Sequence, residues 1–247
     1  MRTWILLALF TIAGCVTTGT NTVDKSKMAE GYFQKGLAFF QERNLEMASV
    51  EFNRSIQTDR SYKLSYYYLG LISDSQEKLP DAIKYYKEAI DIDSGFSEAY
   101  NALGAIYSKQ GKWDDAIKSY QKALENKLYT TPHLPYLNMG RVYMAQKKYP
   151  QAIEAFRNAK AFVKQDFIYY DLGNALLEAG KAKEAVKEFQ EGVEIAPKNA
   201  TLRYGLAIAL LKDGNKKASI QEFRKVTELA PKSNLALKAQ DYLKTLR

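Results

Sequence analysis

An all-α solenoid of stacked helical hairpins is the fold this sequence predicts, and three observations predict it. Small residues recur at a nearly fixed interval: Gly36, Gly70, Gly104, Gly140, Gly173 and Ala207 follow one another at 34, 34, 36, 33 and 34 residues. Twelve positions after each stands a second small residue, in turn Ala48, Ala82, Ala116, Ala152, Ala185 and Ser219. Four positions further comes an aromatic: Phe52, Tyr86, Tyr120, Phe156, Phe189 and Phe223. A period near 34 accommodates two short antiparallel helices and their turns. One such hairpin cannot bury its apolar face alone, so copies stack into a continuous core.

The first helix of each repeat carries the Gly or Ala of the first series, and the second helix carries the Ala or Ser and the aromatic. The two small residues are expected where the helices cross, and the aromatic in the gap to the next hairpin. Leu69, Leu103, Met139, Leu172 and Leu206 precede five of the six small residues. Gly111, Gly180 and Gly214 fall at the bend, where a helix C-terminus favours a left-handed residue. Lys35, Ser73 and Gly192 depart from the pattern. Six repeats cover about residues 29–232, closed in the last two by Pro197 and Pro231. Residues 234–246 read as one more amphipathic helix that caps the open apolar face. This register resembles the tetratricopeptide repeat, which implies a right-handed superhelical solenoid. Packing positions then account for Tyr66, Tyr100, Tyr107, Tyr136, Tyr143 and Tyr169, six of the 18 tyrosines.

Residues 1–14 read as a signal peptide. Arg2 supplies a short positive region, and Trp4 to Ala13 form an apolar run too short for a bilayer core of roughly 30 Å. The run ends in Ile12-Ala13-Gly14-Cys15, which resembles the bacterial lipobox and implies acylation of Cys15, the chain's single cysteine. Val16 follows, not the Asp that in enteric bacteria marks inner-membrane retention, so the resemblance implies an outer-membrane lipoprotein facing the periplasm. Residues 15–28 are polar and without periodicity after the cysteine, and are expected to form a flexible tether with a reach of roughly 20 Å.

Composition excludes several chemistries. One Cys and one His, His133, leave no internal disulfide, thiolate cluster or His-pair metal site. Gly111-Lys112 lacks the flanking residues of a phosphate loop, and no Gly-x-Ser-x-Gly elbow is present. Asp114-Asp115 fall in the first turn of a second helix, where they complement its dipole. The excess of 36 Lys+Arg over 28 Asp+Glu is spread over solvent-facing positions such as Lys147-Lys148 and Lys216-Lys217. We therefore expect no enzyme, no cofactor or metal, no small-molecule substrate and no nucleic-acid partner.

What an exported solenoid offers is a concave surface for protein partners. In this repeat the second, fifth, ninth and twelfth positions of the first helix line it. In the first two repeats these are Glu30, Phe33, Leu37, Phe40 and Leu64, Tyr67, Leu71, Asp74, six of them apolar or aromatic. The third repeat turns polar with Glu98, Asn101, Ala105 and Ser108. Leu134, Leu137, Arg141, Met144 and Phe167, Tyr170, Asn174, Leu177 continue the lining. An amphipathic helix or an extended segment could seat its apolar side there. Alternatively, the N-terminal linker covers the first repeat.

Lipobox, short tether, six repeats and final helix together resemble the type IV pilus pilotin lipoproteins of the PilF/PilW and Tgl type. The link between the third and fourth repeats is two residues longer than the others. Its Leu128-Tyr129-Thr130-Thr131-Pro132, followed by Asn138-Met139-Gly140, is similar to that family's linker at the same place. The resemblance implies an assembly factor whose groove binds secretin subunits and promotes their outer-membrane localisation and multimerisation. The alternative is a periplasm-facing scaffold lipoprotein that recruits peptidoglycan hydrolases or other envelope-assembly proteins.

Overall fold

The computed structural model describes the backbone of residues 19–246 and the side chains of residues 24–246. Residues 1–14, expected as a signal peptide, together with Cys15 and residues 16–18, lie outside the described residues. Among the described residues the chain forms thirteen helices and no strand. Six antiparallel hairpins follow in order: α1 (Gly19–Gln41) with α2 (Leu45–Thr58), α3 (Lys63–Ser75) with α4 (Leu79–Ile92), and α5 (Ser97–Lys109) with α6 (Trp113–Glu125). Then come α7 (His133–Ala145) with α8 (Tyr149–Phe162), α9 (Asp166–Glu178) with α10 (Ala182–Ile195), and α11 (Ala200–Lys212) with α12 (Lys216–Leu229). The capping helix α13 (Asn234–Thr245) covers α12 and touches α11, as the sequence predicts.

One departure is at the start. Helix α1 begins at Gly19, so residues 19–28, expected as tether, are helical. No proline interrupts this stretch, and a helix already nucleated by the α1–α2 hairpin extends backwards at small cost. Asp24 to Met28 are all exposed.

The bends follow one rule. A left-handed residue ends the first helix of each hairpin: Gly111, Gly180 and Gly214 at φ of 70°, 74° and 86°. Arg43, Glu77 and Lys147 take the same conformation at φ of 61°, 58° and 58° in the three repeats without a bend glycine. Asn44 and Asn215 then cap the second helix by accepting the N–H of Met47 and Ala218, and Ser233 caps α13 in the same way by accepting that of Ala236.

The recurrent glycines and aromatics meet inside the hairpin. A Cβ on Gly36 would stand 2.7 Å from the Phe52 ring, and one on Gly104 2.7 Å from the Tyr120 ring. The aromatic thus lies on the glycine of its own repeat and also fills the gap to the next hairpin, as expected: Phe52 packs with Leu69 and Ile72, Tyr86 with Leu103 and Ile106, and Tyr120 with Met139 and Val142. Phe189 makes both contacts through glycines, resting on Gly173 and on Gly205 of the following hairpin. Two departures from the repeat pattern also find physical reasons. Gly192 faces Tyr169 and Leu202, each 2.9 Å from where a Cβ would sit, so the usual alanine does not fit. Lys35, on the outer face of the first hairpin, reaches the 1% exposed Glu51 at 3.0 Å, and Arg54 meets the same carboxylate oxygen at 2.9 Å.

The backbones of successive first helices approach one another, as in α3 with α5, α5 with α7, α7 with α9 and α9 with α11, whereas the second helices α8 and α10 reach each other through side chains, Arg157 to Glu184 at 2.7 Å and Lys160 to Glu188 at 2.6 Å. The odd-numbered helices therefore form the inner layer of a curved stack. Its inner face is the groove.

Candidate protein-binding groove

The groove takes its character from which side chain each odd helix turns inward. In its N-terminal half the lining is aromatic and partly filled by its own rings. Phe33 is 4% exposed, with ring centroids 5.6 Å from Phe52, 5.3 Å from Tyr62 and 5.5 Å from Tyr68. It is a core residue, not a groove contact, because its ring is enclosed by Phe52 of α2, Tyr68 of α3 and Tyr62 just before α3. Leu37, Phe40 and Leu64 are half-buried against the same cluster, and Phe40 meets Tyr68 edge-on at 5.2 Å.

Tyr67 and Leu71 are half-buried one turn apart on α3. The Tyr67 ring stands 5.3 Å from Phe96 and 5.6 Å from Tyr68. Burial, aided by the Glu98 carboxylate, pushes its hydroxyl pKa up to about 12, so it stays protonated and serves as a donor. Tyr129, which sequence reasoning placed only in a linker, is buried close by, and burial likewise raises its hydroxyl. The two extra linker residues let the chain fold back here. Asn126 donates its amide to the Gly95 carbonyl at 3.0 Å and accepts the Leu128 N–H at 2.9 Å. The unusual length of this linker was the available signal for Tyr129.

Beyond α3 the groove becomes a ladder of polar links between neighbouring helices. Lys109 donates to Asp74 at 2.6 Å, the Asn138 amide to Asn101 at 3.1 Å, and Arg141 to Asp171 at 3.0 Å. Burial raises the Asp171 pKa, and Arg141 pulls it back only in part. Leu137 is 4% exposed and belongs to the core. Tyr170 is half-buried with its ring 6.3 Å from Phe189, and Asn174 is half-buried with no side-chain hydrogen bond among the described residues. Tyr204 and Tyr242 line a further concavity between α11 and α13.

The expected lining residues are therefore strung along α1, α3, α5, α7 and α9 as a surface and do not converge on one point. His133 opens α7, and Asp114 and Asp115 lie in the first turn of α6. Among the described residues no group of His, Cys, Asp and Glu is placed to hold a metal ion, and no helix is long and apolar enough to cross a membrane.

Comparison with known proteins agrees with this architecture. Models described as tetratricopeptide repeat match residues 97–127, 135–161 and 170–234, and one described as TPR repeat matches residues 75–111. None is a catalytic family; repeats of this kind are protein-interaction modules. No curated protein matches the sequence. Among solved structures, Pseudomonas aeruginosa PilF is similar at 19% identity and a TM-score of 0.75, over 88% of this chain and 99% of its own. PilW, a widely conserved type IV pilus biogenesis factor, is similar at 16% identity and 0.74, over 86% and 98%. YrrB, a TPR protein with an unusual peptide-binding site, is similar at 20% and 0.64, over 77% and 97%. At these identities the likeness is one of fold. The matched repeats together span more than half of the sequence and run through five of the six hairpins: this chain belongs to the tetratricopeptide-repeat proteins.

Proposed function

We propose that this protein is an outer-membrane lipoprotein, anchored through Cys15 and facing the periplasm, whose groove binds secretin subunits. By holding them at the membrane it promotes their localisation and multimerisation for type IV pilus biogenesis. The observation that carries this reading is the sequence Ile12-Ala13-Gly14-Cys15 upstream of a six-hairpin groove whose N-terminal half is aromatic. The whole-length likeness in fold to PilF and PilW supports it, and the peptide-binding site of YrrB supports the use of such a surface for a protein segment. Phe40, Tyr67 and Leu71 offer rigid apolar area, and the Tyr67 hydroxyl offers a donor. The anchor confines the groove to the surface where the partner must insert, so a modest intrinsic affinity suffices.

The test is crosslinking of the acylated protein in living cells, followed by mass spectrometry of the captured partners. A secretin is expected as the dominant partner, with capture reduced by Tyr67→Ala plus Leu71→Ala in a protein that still melts cooperatively. Peptidoglycan hydrolases without a secretin would replace this reading by the scaffold alternative.

A further inference from the structure

The two long edges of the solenoid are chemically different. At one edge, where each first helix bends into its second, stand Glu77, Lys78, Gln110, Lys112, Lys147 and Lys148, all exposed. At the other edge every second helix ends and every first helix begins, and here the exposed large apolar side chains collect. Ile92, Phe162, Ile195 and Leu229 are the last residues of α4, α8, α10 and α12, and Phe167 lies in the first turn of α9. Leu128 stands out at 88% exposed. Among the described residues, seven of the ten exposed large apolar side chains lie at this edge, counting Met28 in α1, and Met47 alone marks the opposite one.

Leu128 is not exposed through looseness. Asn126 holds its backbone N–H and ties the loop to Gly95, while the neighbouring Tyr129 is 8% exposed. A loop fixed on both sides and presenting a bare leucine is built to put that side chain into something. Lys127, Lys164, Lys198 and Lys232 flank the apolar residues, with stems long enough to lie along a headgroup layer. Glu125, Glu194 and Glu228 stand beside them, so the edge is near neutral and its attraction is apolar. Helix α1 runs out past this edge to Gly19, and its preceding 18 residues hold the apolar run and Cys15.

We propose that this edge faces and contacts the lipid surface, with Leu128 as its insertion point, so that the groove runs along the membrane and the edge of the hairpin bends points away. The proposal rests on the anchoring through Cys15 for the nearness of the bilayer. It is tested on the full acylated protein in vesicles of phosphatidylethanolamine and phosphatidylglycerol. Acylation leaves Leu128→Cys or Lys148→Cys as the single free thiol for an environment-sensitive fluorophore. The label at 128 is expected to shift to the blue and to lose intensity to nitroxide-bearing lipids, with the effect kept at high salt, while the label at 148 stays aqueous. Equal, aqueous emission at both sites in protein whose intact mass includes the acyl chains would overturn the edge assignment alone. Shielding at 128 that lipid quenchers do not reach, and that dilution abolishes, would overturn it in favour of a second copy. An intact mass without acyl chains would overturn the anchoring, and this proposal with it.

Discussion

The ring of Phe189 in α10 rests on the bare Cα of Gly205 in α11, across the boundary between the fifth and sixth hairpins. The ring is fully buried and is held from the other side by Gly173, so it has nowhere to retreat. Gly205→Ala is therefore expected to destabilise by about 1–3 kcal/mol through overpacking, even though alanine is the better helix former. Gly31 gives the internal control, since nothing lies within 4 Å of a Cβ there. Gly31→Ala is expected to stabilise by up to about 1 kcal/mol. Urea unfolding of the two variants should move the midpoint in opposite directions.

The bends make a second opposed pair. Gly180 holds φ at 74° and Lys147 holds 58° at the equivalent point of the fourth hairpin. A Cβ in the left-handed region costs roughly 1–2 kcal/mol, so Gly180→Ala should lower the unfolding midpoint and Lys147→Gly should raise it. A fall with both substitutions would mean that the Lys147 side chain contributes more than its backbone costs.

Why half the bends were visible in the sequence follows from the same chemistry. Gly111, Gly180 and Gly214 announce a left-handed residue, whereas Arg43, Glu77 and Lys147 adopt one without a sequence mark. Hairpin number and the capping helix were legible because small and aromatic residues must recur wherever helices cross. The groove was legible only by analogy of position, and position does not report burial. Phe33 and Leu37 stand four apart on one helix face, yet only Phe33 is drawn into the core by Tyr62 and Tyr68. Tyr129 and the Lys109–Asp74 and Arg141–Asp171 links depend on contacts about 30 residues or more apart that no local pattern encodes.

Phe33 carries a prediction that separates core from groove. Phe33→Ala removes a ring packed on three others and is expected to cost about 3–5 kcal/mol, seen as an earlier urea midpoint with or without any partner. Tyr170→Ala, on the half-buried groove surface, should cost distinctly less in the same measurement. Equal losses would place Tyr170 in the core as well.

Two carboxylates give the fold opposite responses to acid. The Lys63 side-chain hydrogen bond, with the Gly95 N–H, holds the Asp93 pKa below the ordinary carboxylate value. Its contribution to stability is present above the unfolded pKa and is lost as the pH falls through the folded one. Asp171 is the reverse case: burial holds its pKa above the ordinary value despite Arg141. Its contribution is fully present below the unfolded pKa and is lost as the pH rises through the folded one. Asp93→Asn should therefore soften the loss of stability between neutral pH and about pH 3, and Asp171→Asn should steepen it. Urea midpoints at the two pH values check both signs, because an Asp171→Asn profile parallel to that of the parent would mean that Arg141 fully offsets the burial of this carboxylate.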